Sequence, residues 1–198
     1  MKKLGILLAI SFAAFAFKSG GLNIGDELPM STHAVQDISG KDITLNEAIK
    51  ANGLLVMFSC NTCPYVIKNQ QRTKTILQYA KSKNIGVVVL NSNEAYRSGE
   101  DSFEAMQQYA KQQGYSWAYA VDKNNQLADA FGASRTPECY LFSNKNKLVY
   151  HGAIDNSPAD DAAVSTIYLK DAINELVEGK EITVKTSRSI GCGIKRIN

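Results

Sequence analysis

The sequence is 198 residues long, 44% hydrophobic and 21% charged, the composition of one globular domain with a substantial core. A formal charge of +3 without a dense basic cluster argues against nucleic acid: the late cations between Lys185 and Arg196 alternate with Ser, Gly and Ile, include no aromatic, and read as a solvated tail. Four cysteines are too few for a disulfide scaffold in such a chain, so Cys60, Cys63, Cys139 and Cys192 are read one at a time.

The N-terminus, MKKLGILLAISFAAFAFKSGG, sets two lysines before an apolar segment from Leu4 to Phe17 and then small and polar residues, the pattern of a secretory signal peptide. Its apolar segment is shorter than the roughly 20 residues a spanning helix needs. Ala14 and Ala16 supply an A-x-A site, so cleavage is expected after Ala16, with an uncleaved anchor as the alternative. Either way the domain is expected outside the cytoplasm, in the periplasm, touching membrane only through this segment. Removal of residues 1–16 takes Lys2 and Lys3 and lowers the formal charge of +3 by two, to +1. A linker at 17–23, a domain at 24–184 and a tail at 185–198 containing Cys192 follow.

Within the domain, LPMSTHAVQDISGKDITL alternates weakly around Ser39-Gly40 and predicts a hairpin. LNEAIKANG predicts a short helix ending at Gly53. LLVMFS, an unbroken apolar run, suits a strand covered on both faces. From Pro64 to about Lys83, Val66, Ile67, Ile76, Leu77 and Ala80 recur near helical spacing and predict one helix. IGVVVLNSN reads as a second buried strand, DSFEAMQQYAKQQG as a helix closed by Gly114, WAYAVD as a third strand, and NNQLADAFGA as a short helix capped at Asn124 or Asn125. ECYLFS and KLVYHGAI, separated by Asn144-Lys145-Asn146, predict an antiparallel hairpin, and a last helix runs from about Asp160 to Glu178. Strands alternating with helices, then an antiparallel pair, predict an α/β sandwich.

The segment FSCNTCPYV carries the chemistry. A C-x-x-C pair where a strand passes into a helix places its first sulfur near unpaired N–H groups that stabilise a thiolate, the species that attacks disulfides. Cys63, one turn on, is then placed to attack the mixed disulfide. Cys60 is thus the expected nucleophile and Cys63 the resolving thiol, with Asn61 and Thr62 tuning the potential. Zinc would require more: there is no second such pair, and His33 and His151 are isolated. Thr136-Pro137, just before a predicted strand, reads either as an ordinary strand-start proline or as a cis proline whose neighbouring backbone pairs with an extended substrate segment beside Cys60.

These residues resemble the thioredoxin superfamily and, within it, peroxiredoxin-like bacterial redoxins related to the alkyl hydroperoxide reductase/thiol-specific antioxidant family. The resemblance is carried by GLLVMFSCNTCPYV, VVVLNSNEA, DSFEAMQQYAKQQGY, LADAFGASRTPECYLF, KLVYHGAIDN and the ending SIGCGIKRI. It implies a thioredoxin-like three-layer α/β/α sandwich with a central mixed sheet and an N-terminal β-hairpin extension, a redox-active pair at Cys60 and Cys63, and a cis peptide before Pro137. No cofactor beyond the redox-active disulfide is implied. The expected partners are protein thiols or disulfides and an unidentified electron donor or acceptor.

Two alternatives to thiol-disulfide exchange have different requirements. Peroxiredoxins resemble one another in a P-x-x-x-T/S-x-x-C segment, but the residues seven and three before Cys60 are Gly53 and Met57, and before Cys63 they are Val56 and Cys60. Arg135 is the candidate distant arginine of such a site. Thioredoxin-fold copper carriers resemble one another in C-x-x-x-C spacing with a distant histidine, whereas this chain has one residue fewer between its cysteines and no obvious histidine for that role. Against thioredoxin itself, Ser59 replaces the usual tryptophan, Asn61-Thr62 replaces Gly-Pro, and Leu54 stands where a buried carboxylate is expected, leaving water or Glu138 to take the proton from Cys63. Cys139, in an apolar strand, reads as a small hydrophobe. For Cys192, between two glycines, three roles stay open: a second resolving thiol, a disulfide to Cys139, or a free thiol.

Overall fold

The computed structural model describes residues 20–197, so the signal segment expected at 1–16 lies outside the described residues. At the centre is a seven-stranded mixed sheet in the order β2-β1-β5-β4-β3-β7-β8. The hairpin β1 (Val35–Asp37) and β2 (Asp42–Ile43) adds to one edge, antiparallel to β5 (Ala118–Val121). In the middle, β3 (Leu54–Ser59) and β4 (Gly86–Asn91) run parallel to each other and β4 runs parallel to β5. Antiparallel to β3 lies β7 (Glu138–Phe142), followed by β8 (Leu148–Gly152).

All residues of β3, β4 and β7 are buried, which is why these strands read as apolar runs and not as alternating patterns. The pleat still sorts their side chains into two faces. Leu55, Met57, Val87 and Val89 pack under α3 (Gln70–Ser82), α4 (Phe103–Gln113) and α6 (Tyr168–Val177) through Leu77, Met106 and Ile173. Leu54, Val56, Phe58, Val88 and Leu90 pack on the other side against Leu45 of α1 (Leu45–Ala48) and Leu127 and Phe131 of α5 (Gln126–Phe131). Each fully buried Leu, Val or Phe contributes about 1.5–3 kcal/mol, so the sheet is the rigid base on which the cysteine turn stands. Directly beneath that turn, Phe58 makes edge contacts with Phe131 and Tyr140 at centroid distances of 5.3 and 5.7 Å.

Four expectations are corrected. The helix expected to reach Gly53 stops at Ala48: Thr44 and Glu47 form a reciprocal cap at its start, but Ile49 is already extended. Gly53 instead immediately precedes β3 at φ +121, where an added Cβ would meet the Phe142 carbonyl oxygen at 2.0 Å. The helix read across 64–83 is two, α2 (Pro64–Lys68) and α3, parted at Asn69. The Asn69 side chain donates to the carbonyls of Tyr65 and Pro158, tying the break to a distant loop. The last helix begins at Tyr168 and not at Asp160, because Asn156 accepts from the N–H groups of Ser165 and Thr166 and keeps that segment out of helical pairing. Finally, the tail is not merely solvated: Cys192–Gly193 form strand β9 on β6 (Arg135–Thr136), and Ile194 is buried.

Candidate functional site

Where β3 ends, Ser59 is the last residue of the strand and Pro64 opens α2, so Cys60 to Cys63 form the turn between them. Proline suits the first helical position because its missing N–H would have no partner there. Both sulfurs are enclosed, Cys60 being 1% and Cys63 4% exposed. They cluster with Val66, Tyr65 and Cys192. The Thr136-Pro137 peptide is cis. Thr136 faces both cysteines: its Oγ1 lies 3.5 Å from Cys60 Sγ, and its carbonyl oxygen lies 3.3 Å from Cys63 Sγ.

Cys63 is joined to Cys192 as a disulfide, with Cα atoms 5.9 Å apart, while Cys60 and Cys139 are free. Two roles considered for Cys192 are therefore corrected: it is neither a free thiol nor bonded to Cys139. Cys139 is fully buried in β7 opposite Met57, where burial drives its thiol far above the ordinary value, and it stays apart from the other three sulfurs. The partner that the sequence failed to identify for Cys63 is brought in by the pairing of β9 with β6.

Burial also pushes the Cys60 thiol upward, and the Asp101 charge adds to this. The Thr136 hydroxyl and the N–H groups of Cys63 and Thr62 pull the other way. Asp101, itself fully buried, is the site residue that the motif search missed. Its Oδ1 accepts from the Asn61 N–H at 2.8 Å and from Asn91 Nδ2 at 2.7 Å, and its Oδ2 accepts from Asn93 Nδ2 at 2.9 Å. The Asn61 side chain accepts from the Tyr119 hydroxyl at 2.8 Å and donates to the Glu100 carbonyl. Asn61 thus anchors the turn on both its backbone and its side chain. A buried acid near the cysteines was sought just upstream of Cys60, where Leu54 stands; the chain supplies one from beyond β4 instead.

Glu138, the other acid considered, is engaged elsewhere. Its oxygens accept from the N–H groups of Ser134 and Arg135, and Oε1 lies 2.7 Å from His151 Nε2. Burial would raise its pKa, but these partners outweigh burial and hold the carboxyl below its usual value. His151 stacks on Tyr140 and serves this pair. Arg135 is exposed and donates to the Gly191 carbonyl at 3.2 Å, so it points to the tail and not to the sulfurs.

Comparison with known proteins agrees with this geometry. The Redoxin family model matches residues 23–167, the span that carries the cysteine turn, Asp101 and Pro137. The chain belongs to the Redoxin family. A hypothetical protein from Sinorhizobium meliloti 1021 superposes on this redoxin with a TM-score of 0.82 at 29% identity, covering 92% of this chain and 99% of that one. The thioredoxin domain of a thiol-disulfide oxidoreductase from Bacteroides vulgatus shares the fold at TM-score 0.55 and 16% identity, over 66% of this chain and 89% of that one. In sequence, the thiol-disulfide oxidoreductase ResA of Bacillus thuringiensis (strain Al Hakam) is 23% identical over 128 residues, 65% of this chain and 68% of its own. This redoxin is accordingly an oxidoreductase-type protein of thioredoxin-like fold.

Proposed function

We propose that this redoxin is an exported thiol-disulfide oxidoreductase that exchanges disulfides with protein thiols through Cys60 and Cys63. The observation that carries the reading is the gathering of three sulfurs, Cys60, Cys63 and Cys192, at the Thr136 edge, with one disulfide already made among them. In the exchange, once a dithiol electron donor has reduced the Cys63–Cys192 bond, the Cys60 thiolate accepts hydrogen bonds from Thr136 and from the N–H groups of Cys63 and Thr62 and attacks a client disulfide; the Cys63 thiolate then attacks Cys60 Sγ of the mixed disulfide, the client leaves as a thiol, and a Cys60–Cys63 disulfide remains. Similarity to ResA supports the same class. The Lys2-Lys3 and apolar leader supports export.

The other two readings gain no support from the site. Arg135, the candidate peroxide-positioning arginine, bonds the tail instead, and a copper carrier would need Cys63 free. Insulin reduction tests the proposal: Cys60→Ser is expected to abolish it and Cys63→Ser to accumulate mixed disulfides, whereas activity surviving in both variants overturns it. N-terminal sequencing of the mature protein tests export, with Phe17 as the expected first residue.

A further inference from the structure

The edge expected to receive a client is already filled by the protein's own tail. β9 runs antiparallel on β6, with Cys192 opposite Thr136 and Gly193 opposite Arg135. Beyond it, the Ile194 N–H donates to the Ser134 carbonyl at 3.0 Å, the Lys195 N–H donates to Asn93 Oδ1 at 2.9 Å, and the Lys195 carbonyl accepts from Ala95 at 3.0 Å. Asn93 is also a ligand of Asp101, so the tail and the cysteine turn are held by one network. Residue 191 is the tightest point: a Cβ there would lie 2.1 Å from the Thr136 carbonyl oxygen and 2.7 Å from its carbon. Backbone is what would have to move, so this position accepts only glycine in this register.

We infer that Gly191–Lys195 is an internal stand-in for a client, and that the client this edge selects is an extended protein segment in which glycine immediately precedes the reacting cysteine. The inference rests on the thiol-disulfide reading above. Opening needs no outside oxidant or reductant. The Cys60 thiolate attacks Cys63 Sγ, the Cys60–Cys63 bond forms as the Cys63–Cys192 bond breaks, and the electron pair leaves on Cys192, which takes up the proton that Cys60 gave up. Toward the tail the two roles are therefore exchanged: Cys63 carries the mixed disulfide and Cys60 resolves it. Without its covalent tie the tail is held by its hydrogen bonds, by Ile194, 8% exposed against the core, and by the Arg196–Asp129 ion pair at 2.9 Å, and a client segment competes for the same strand position.

The test uses full-length protein and two synthetic heptapeptides, Ser-Ile-Gly-Cys-Gly-Ile-Lys and Ser-Ile-Ala-Cys-Gly-Ile-Lys, each activated at its cysteine as a 2-thiopyridyl disulfide. Release of pyridine-2-thione reports attack by a protein thiolate on the peptide sulfur. Reduced Cys192→Ser protein is expected to react about tenfold or more faster with the glycine peptide than with the alanine peptide, a preference equivalent to about 1.4 kcal/mol. Wild-type protein in the Cys63–Cys192 state is expected to react at least about tenfold slower than the variant with the glycine peptide. Adding Ile194→Ala to Cys192→Ser should speed capture further. Equal rates with the two peptides, or a bonded wild type as fast as the variant, overturn the inference. 2,2′-Dipyridyl disulfide separates the two levels: fast reaction with it but no peptide preference removes only the tail inference, and reaction no faster than free cysteine removes the thiol-exchange reading and the inference with it.

Discussion

Asp101→Asn tests whether a buried acid holds the cysteine turn. The carboxylate satisfies three donors, Asn61 N–H and Asn91 Nδ2 on one oxygen and Asn93 Nδ2 on the other. An asparagine keeps one acceptor oxygen, and its own amide group then faces a donor whichever way it is turned. Losing one hydrogen bond to a charged group costs about 1.5–3 kcal/mol, and the bonds that survive are weakened because they no longer meet a charge, so about 3 kcal/mol is expected. For a chain of this size that lowers Tm by about 6–12 °C. The same change removes the charge that, after burial, raises the Cys60 thiol. Thermal melts and a pH profile of iodoacetamide alkylation are measured on protein in the Cys63–Cys192 state, where Cys60 and the fully buried Cys139 are the free thiols. The expected result is a lower Tm with the alkylation midpoint moved to lower pH. A looser turn alone would raise the plateau rate and leave the midpoint in place. Unchanged Tm with an unchanged midpoint refutes the assignment.

Thr136→Val removes the hydroxyl beside Cys60 and with it a contribution that lowers the thiol's pKa, so the alkylation midpoint should rise. Glu138→Gln loses charge-assisted bonds to His151, Ser134 and Arg135 and should cost about 2–4 kcal/mol in urea unfolding at neutral pH. Because the Glu138 carboxyl is held below its ordinary 4.5, its contribution is complete above that value and fades as the pH falls below it, so the gap between wild type and variant should narrow with further acidification. At the alkaline end the sign reverses: Cys60, Cys139 and Tyr119 hold their protons more tightly folded than unfolded. That stabilisation is complete below their ordinary values of 9.0 and 10.0 and is lost as pH rises beyond them, so urea midpoints should fall progressively above about pH 9.

Local chemistry made much of the fold legible. LLVMFS and GVVVLN could be read as central strands because both faces of each are covered, and Gly114 marked the end of α4 by its left-handed conformation. The breaks were not legible in the same way. Nothing in the spacing of Val66, Ile67 and Ile76 announces that Asn69 will bond Pro158, far along the chain, and part the helix. The site divides likewise. Cys60 and Cys63 are a contiguous motif, visible by spacing, whereas Asp101 and Cys192 reach them only through tertiary contacts that no local pattern encodes. SIGCGIKRI did stand out as a specific ending, and the physical content of its first glycine is the 2.1 Å approach to Thr136, which is a property of the folded edge.

The insulated position of Cys139 leaves an odd number of sulfurs at the surface end of the sheet. Three thiols sharing one disulfide have three isomers of identical oxidation level, each with a single sulfur left over. Shape is thereby uncoupled from electron count: a redox titration registers the same two electrons whether the bond joins Cys63 to Cys192 or to Cys60, and only identification of the bonded pair distinguishes the closed protein from the open one.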